Sequence, residues 1–205
     1  MRKGLIYPLL SMAVSASLLA GCTGGQQSKD YMEENDSVTV YPPDTAVYVH
    51  LGEGTGMGSL ELITDDGDTL ALNKTNEKTG ELGRILGEIA NYTDQYAITT
   101  CDDNQSVNVA LNINQLAQRK WQSDTDKQHG FQLEMNGKAQ SLATGPYKYN
   151  QWSLYNCKLI LLRESEGVHG AETRNDTLDI LKLTPDSLVL QSSRTSIPEK
   201  FHRIS

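Results

Sequence analysis

The chain has 205 residues, with 18 basic against 26 acidic side chains and a formal charge of −8. An acidic chain repels phosphate backbones and anionic headgroups alike, so nucleic acid is excluded as a partner and a basic membrane-binding patch is excluded as an anchor. Only 38% of the residues are hydrophobic, while Thr, Asn, Gln and Ser abound, which suits antiparallel sheets with one wet face better than a deep helical core.

The chain opens with Arg2 and Lys3, followed by a mostly apolar run from Leu5 to Leu19. This is the charged and hydrophobic layout of an export signal, and the run is short for a membrane span. Small residues then lead directly into a cysteine: Leu19-Ala20-Gly21-Cys22. The stretch resembles the lipobox of bacterial lipoproteins. That resemblance implies cleavage between Gly21 and Cys22, a diacylglycerol on the Cys22 thiol and acylation of the new amino terminus. Residues 1–21 are thus expected to be a lipoprotein signal peptide. No aspartate follows Cys22, which favours the outer membrane within the cell envelope, with the face unassigned. Without its first 21 residues the chain keeps 16 basic and 26 acidic groups.

Residues 22–37 are polar and lack a hydrophobic period, and they read as a lipidated flexible tether with a reach of about 20 Å. From 38 to 113 the pattern predicts a small β-domain of five to six strands closing into a barrel-like form. Its candidates are Val38–Val40, Val47–Leu51, Leu60–Thr64 and Thr69–Leu72, the last two joined by the hairpin signal Asp65-Asp66-Gly67-Asp68. Gly80–Asn91 fits a helical face by its spacing of Leu82, Ile85, Leu86 and Ile89, but Gly83 and Gly87 each cost a helix interior about 1 kcal/mol, so an extended reading is preferred. Val107, Val109, Leu111 and Ile113 alternate with polar or small residues and predict a strand with one buried face.

Asn114–Lys120 reads as a short helical turn. Eight strands follow in residues 114–205, beginning at Trp121-Gln-Ser and at Phe131, Leu133 and Met135. Asn136-Gly137 is a strong hairpin signal. Ala139–Leu142, Tyr147–Tyr155, Lys158–Arg163, Thr177–Leu183, Leu188–Gln191 and Phe201–Ile204 continue the series. Glu164–Asn175 is left as the one long loop, and Thr184-Pro185-Asp186-Ser187 predicts a tight turn. A meander of this kind closes into an up-and-down antiparallel barrel.

The stretches Trp121-Gln-Ser-Asp, Gly130-Phe-Gln-Leu with Asn136-Gly137, Trp152-Ser-Leu with Lys158-Leu-Ile-Leu, Leu183-Thr-Pro-Asp-Ser-Leu-Val-Leu190 and Phe201-His-Arg203 resemble the lipocalin-like bacterial lipoproteins. The resemblance implies an all-β chain: a small N-terminal β-barrel-like domain, then an eight-stranded antiparallel up-and-down lipocalin-like barrel. It further implies that Trp121 and Arg203 form a barrel-closing pair, a cation over an aromatic face, although Arg119 stands where a lipocalin opening has glycine.

Chemical motifs are sparse. Gly52, Gly54, Gly56 and Gly58 invite a phosphate reading, but the spacing is wrong and a strand follows instead of a helix. His50, His129, His169 and His202 lack ligand spacing, and neither Asp65, Asp66 and Asp68 nor Asp102 and Asp103 complete a calcium loop. No serine sits in a nucleophile elbow. The chain is therefore read as non-enzymatic, without metal or cofactor. Cys101 and Cys157 lie on different segments that fix no disulfide geometry. Tyr147, Tyr149, Trp152 and Tyr155 form the densest aromatic cluster and are the ligand-binding candidates. Two readings of function stand: a barrel that binds a small apolar or amphipathic molecule, or a filled barrel that serves as a structural or interaction subunit of an envelope complex. An enclosed cavity of about 300 Å³ or more favours the first, and a solid barrel with an exposed apolar patch favours the second.

Overall fold

The computed structural model describes residues 43–101, 104–143, 148–167, 170–195 and 197–205. The expected signal peptide, Cys22, the expected tether, Val38–Val40, Tyr147 and His169 lie outside these residues.

Six strands build the first sheet: β1 Val47–Leu51, β2 Ser59–Thr64, β3 Thr69–Asn73, β4 Arg84–Leu86, β5 Tyr96–Thr100 and β6 Val107–Asn112. Their order is β3-β2-β1-β5-β6-β4, antiparallel except where β4 runs parallel to β6. The expected hairpin at Asp65–Asp68 joins β2 to β3, with Gly67 at φ +86° supplying the left-handed residue of the turn. Bridges from Asn73 to Ser106 and from Thr75 to Leu82 draw the two edges together at one end, which gives the sheet its barrel-like curl. Its concave side packs Val49, Leu51, Leu60, Leu62, Tyr96, Ile98 and Val107.

A short helix, α1 (Ile113–Leu116), leaves β6 with Asn112 as its cap, the Asn112 Oδ1 accepting from the Gln115 amide at 2.9 Å. The second sheet follows as β7 Arg119–Ser123, β8 Gly130–Leu133, β9 Ala139–Ser141, β10 Lys148–Tyr155, β11 Lys158–Gly167, β12 Gly170–Leu183, β13 Ser187–Ser192 and β14 Pro198–Ile204. Each strand from β10 to β14 pairs with its successor, β14 returns to β7, and β8 and β9 complete the sheet. This is the expected eight-stranded up-and-down barrel. Its seam lies between β9 and β10, where Lys138 bridges to Gln151, the Trp152 amide donates to Gly137 O at 2.8 Å and the Tyr149 amide to Ser141 Oγ at 2.9 Å.

One expectation is corrected. Glu164–Asn175 is not a loop: β11 and β12 run on as a ladder through Arg163↔Arg174, Glu164↔Thr173 and Ser165↔Glu172 to Gly167↔Gly170. Polar residues hide this extension: Glu172, Thr173, Arg174 and Asn175 are all exposed, so this part of the ladder carries no apolar alternation.

The two sheets share one apolar cluster. Leu86, Ala97 and Leu111 on the convex side of the first sheet, with Ile113 and Leu116 of α1, pack against Trp121, Leu159, Ile180, Leu183 and Leu188 of the barrel. This plugs one end of the barrel. The Gly87 amide donates to Leu183 O at 3.0 Å across the junction.

Candidate functional site

Alternation along the barrel strands sets the interior in layers. Nearest the plug lie Trp121, Leu133, Leu159, Ile180 and Leu188, all buried. The next layer holds Phe131, Leu161, Leu190 and Phe201, with Tyr149 and Leu178 beside them. At the far end the inward positions are occupied by His129, Arg163, Asp176, Ser192 and Glu199, followed by Arg194 and Ile197. Together the two outer layers line a cavity of about 320 Å³ with an apolar floor and a charged rim.

The floor is aromatic. Phe131 meets Tyr149 edge to face at 5.9 Å between centroids and Phe201 at 5.2 Å, and His129 stands edge-on to Phe201 at 5.4 Å. Such geometries align ring edges with ring faces and stiffen the wall.

The rim carries two polar groupings. In one, Glu199 Oε1 accepts from Ser123 Oγ at 2.8 Å and lies 2.8 Å from His129 Nδ1, while His129 Nε2 sits 3.1 Å from the Tyr149 hydroxyl. Burial acts to raise the Glu199 carboxyl, but the hydrogen bonds from His129 and Ser123, with the attraction of His129, outweigh it and hold the group below the usual glutamate range. In the other, Asp176 faces two guanidinium groups, Arg163 Nη1 at 3.3 Å and Arg194 Nη1 at 4.0 Å.

Of the four aromatic candidates, Tyr149 lines the cavity and Tyr147 lies outside the described residues. Trp152 instead packs toward the core and stitches the seam, its indole N–H donating to Glu134 O at 2.7 Å. A bulge between Tyr149 and Gln151 shifts the phase of β10 and sends Trp152 and Leu154 inward nearer the plug. Tyr155 adjoins the β10–β11 turn and is not part of the cavity wall. Trp121 is fully buried with its indole N–H on Leu116 O at 2.9 Å; Arg203 stands directly opposite it in the ladder and is exposed.

The remaining motifs resolve into local structure. In the glycine-rich loop, the Gly54 amide donates to Glu61 Oε2 at 2.7 Å, so the loop holds a carboxylate of its own chain. His50 contacts Asp94 O at 3.0 Å and His202 contacts Asp124 at 2.7 Å. Among the described residues no cluster of three or more His, Cys, Asp or Glu side chains is arranged to hold a metal ion. Cys101 and Cys157 are both free thiols. Sequence reasoning missed most of the cavity wall, including Arg163, Asp176 and Glu199, which lie two residues from the inward Leu161, Leu178 and Phe201 and join the wall only once the strands are paired.

Residues 122–203 match the family model described as lipocalin-like. Among solved structures the chain is similar to a lipocalin-like protein from Bacteroides thetaiotaomicron, at 26% identity, over 42% of this chain and 95% of that one, with a TM-score of 0.36. No curated protein matches the chain. The family match over residues 122–203 and the eight-stranded meander agree with each other, and the cavity lies inside that barrel.

Proposed function

We propose that this chain is a lipid-anchored cell-envelope protein whose barrel binds one small amphipathic molecule and performs no catalysis. The observation that carries the binding reading is the cavity of about 320 Å³, which reaches the lower range of small-molecule sites. Its lining pairs an apolar floor with a few convergent polar groups. A filled interior would have favoured the interaction module instead.

The anchoring part rests on Leu19-Ala20-Gly21-Cys22 after an apolar run. The acyl chains would hold the protein at the membrane, most simply the outer one, and residues 23–37 would space the barrel from it.

Native mass spectrometry of the protein purified from its own host tests the binding reading. The expected result is a copurified small molecule that is lost in Leu178→Trp, a substitution that fills the cavity from a half-buried position. A barrel that returns empty and binds no apolar probe would refute it. Fatty-acid labelling tests the anchor: the label should disappear in Cys22→Ser, and a label that persists would refute lipidation at this residue.

A further inference from the structure

A second cavity, of about 410 Å³, lies outside the barrel at the junction of the two sheets, walled by β4 to β6, the β10–β11 turn and β12. Hydrogen bonds across the junction frame it. Thr45 donates through its amide and its hydroxyl to Asn156 Oδ1 at 2.8 and 2.9 Å, the Cys157 thiol donates to Ala97 O, and Arg84 Nη2 donates to Ile180 O. A frame tied at several points holds its shape, which lowers the cost of ordering a ligand in it. Within the frame, bonding capacity is left over. Arg84 gives one of its guanidinium donors to the Ile180 carbonyl and pairs with no carboxylate among the described residues, so most of its five donors remain. The Thr99 hydroxyl is buried in the wall and has no partner at hydrogen-bonding distance and angle among the described residues. Lys158 is paired with Asp179 at 2.8 Å. Asp44, the carboxylate beside the turn, accepts from the Asn156 and Ala46 amides and the Tyr48 hydroxyl and does not line the cavity. Two cations against one carboxylate leave the wall positive.

We infer that this junction cavity is a second binding site, for a small hydroxylated acid of the sugar-acid class, with Arg84 on the carboxylate and the Thr99 and Asn108 side chains on the hydroxylated body. The inference is independent of what the barrel holds. A guanidinium fork takes both oxygens of a carboxylate, and a monoanion neutralises the surplus charge. The body must be polar, because an apolar one would shut the Thr99 hydroxyl away without a partner. No aromatic side chain among the described residues lines this wall, so nothing here matches the ring-lined floor inside the barrel. The volume lies in the range of small-molecule sites, which form preferentially where two structural units meet.

The test is calorimetric titration of the full chain with glucuronate, glucose and acetate. Glucuronate should bind about tenfold or more tighter than either, since glucose lacks the carboxylate and acetate the hydroxylated body. Arg84→Gln should bring glucuronate to within about twofold of glucose. Thr99→Val should weaken glucuronate several-fold while its thermal midpoint stays at or above that of the parent, because no hydrogen bond of the fold is lost; a merely structural threonine would show the opposite pair of effects. Leu178→Trp, which fills the barrel, should leave glucuronate affinity unchanged. An advantage over glucose that survives Arg84→Gln, or acetate as tight as glucuronate, overturns the assignment of the ligand. Glucuronate binding that is lost in Leu178→Trp, or no binding of glucuronate at all, overturns the junction site and leaves the barrel reading to its own test.

Discussion

The Cys157 thiol donates to the Ala97 carbonyl at 3.3 Å, joining the tip of the β10–β11 hairpin to the convex face of the first sheet. Asn156 and Cys157 both adopt positive φ, 48° and 60°, the backbone of a two-residue hairpin turn that ordinarily carries Asn and Gly. Asn156 is fastened from the other side, its amide donating to Asp44 and its side-chain oxygen accepting from Thr45. Cysteine is tolerated at the second position because its side chain fills the junction.

Burial, aided by the charge of Asp44, pushes the Cys157 thiol up to about 12 against the lowering pull of Thr99. A thiol that resists ionisation is a poor nucleophile. A thiol reagent at pH 8 should therefore modify Cys101 about a hundredfold faster than Cys157 in the native protein, and both alike in denaturant. Equal native rates would contradict the placement of Cys157 in the junction.

Glu199 makes stability depend on acid. Its folded-state pKa lies below the unfolded value near 4.5, so its contribution is present above that value and is lost as pH falls through the lowered one. The group is partly exposed, and solvent screening keeps the effect modest. The urea midpoint of the natural chain should fall between about pH 5 and pH 3 more steeply than that of Glu199→Gln. Parallel curves would show that the His129 and Ser123 contacts contribute nothing to folding.

Trp121→Phe should cost about 1–3 kcal/mol, since it removes buried volume and leaves the Leu116 carbonyl without its indole donor. Chemical denaturation measures this directly. A cost under about 0.5 kcal/mol, the range of surface substitutions, would mean that the plug does not depend on the bond.

Gly87 sits at φ +89°, and a Cβ there would meet Asn112 Cβ and Gln115 Oε1 at 2.8 Å. Gly87→Ala should destabilise by about 1–3 kcal/mol. Gly56→Ala, where nothing lies within 4 Å, should stay within about 0.5 kcal/mol of the parent. Thermal unfolding of the pair separates a conformational cost from a general intolerance of the fold.

The strands that alternate cleanly were legible in the residues. Phe131 and Leu133, Leu188 and Leu190, and the turns at Asn136-Gly137 and Thr184–Ser187 all stand where period and turn chemistry put them. Strand β5 was not legible, because Tyr96 and Ile98 face one core while Ala97 faces the other, and burial on both sides erases the alternation. The outer reach of β12 escaped for the opposite reason, Glu172–Asn175 being exposed without a break. The site was legible only at Tyr149. Arg163, Asp176 and Glu199 read as surface charge, since no local pattern tells an inward-facing ion at a barrel rim from an outward-facing one; neighbouring strands must be paired before the ring appears. The bulge in β10 likewise gave no warning that Trp152 would serve the seam.

The plug formed by α1 and the convex sheet has a consequence for traffic. A barrel corked at its base is a vessel and not a conduit: on the binding reading proposed above, a solute that enters would turn round and leave by the same doorway, so uptake and release would share one gate and one set of side chains.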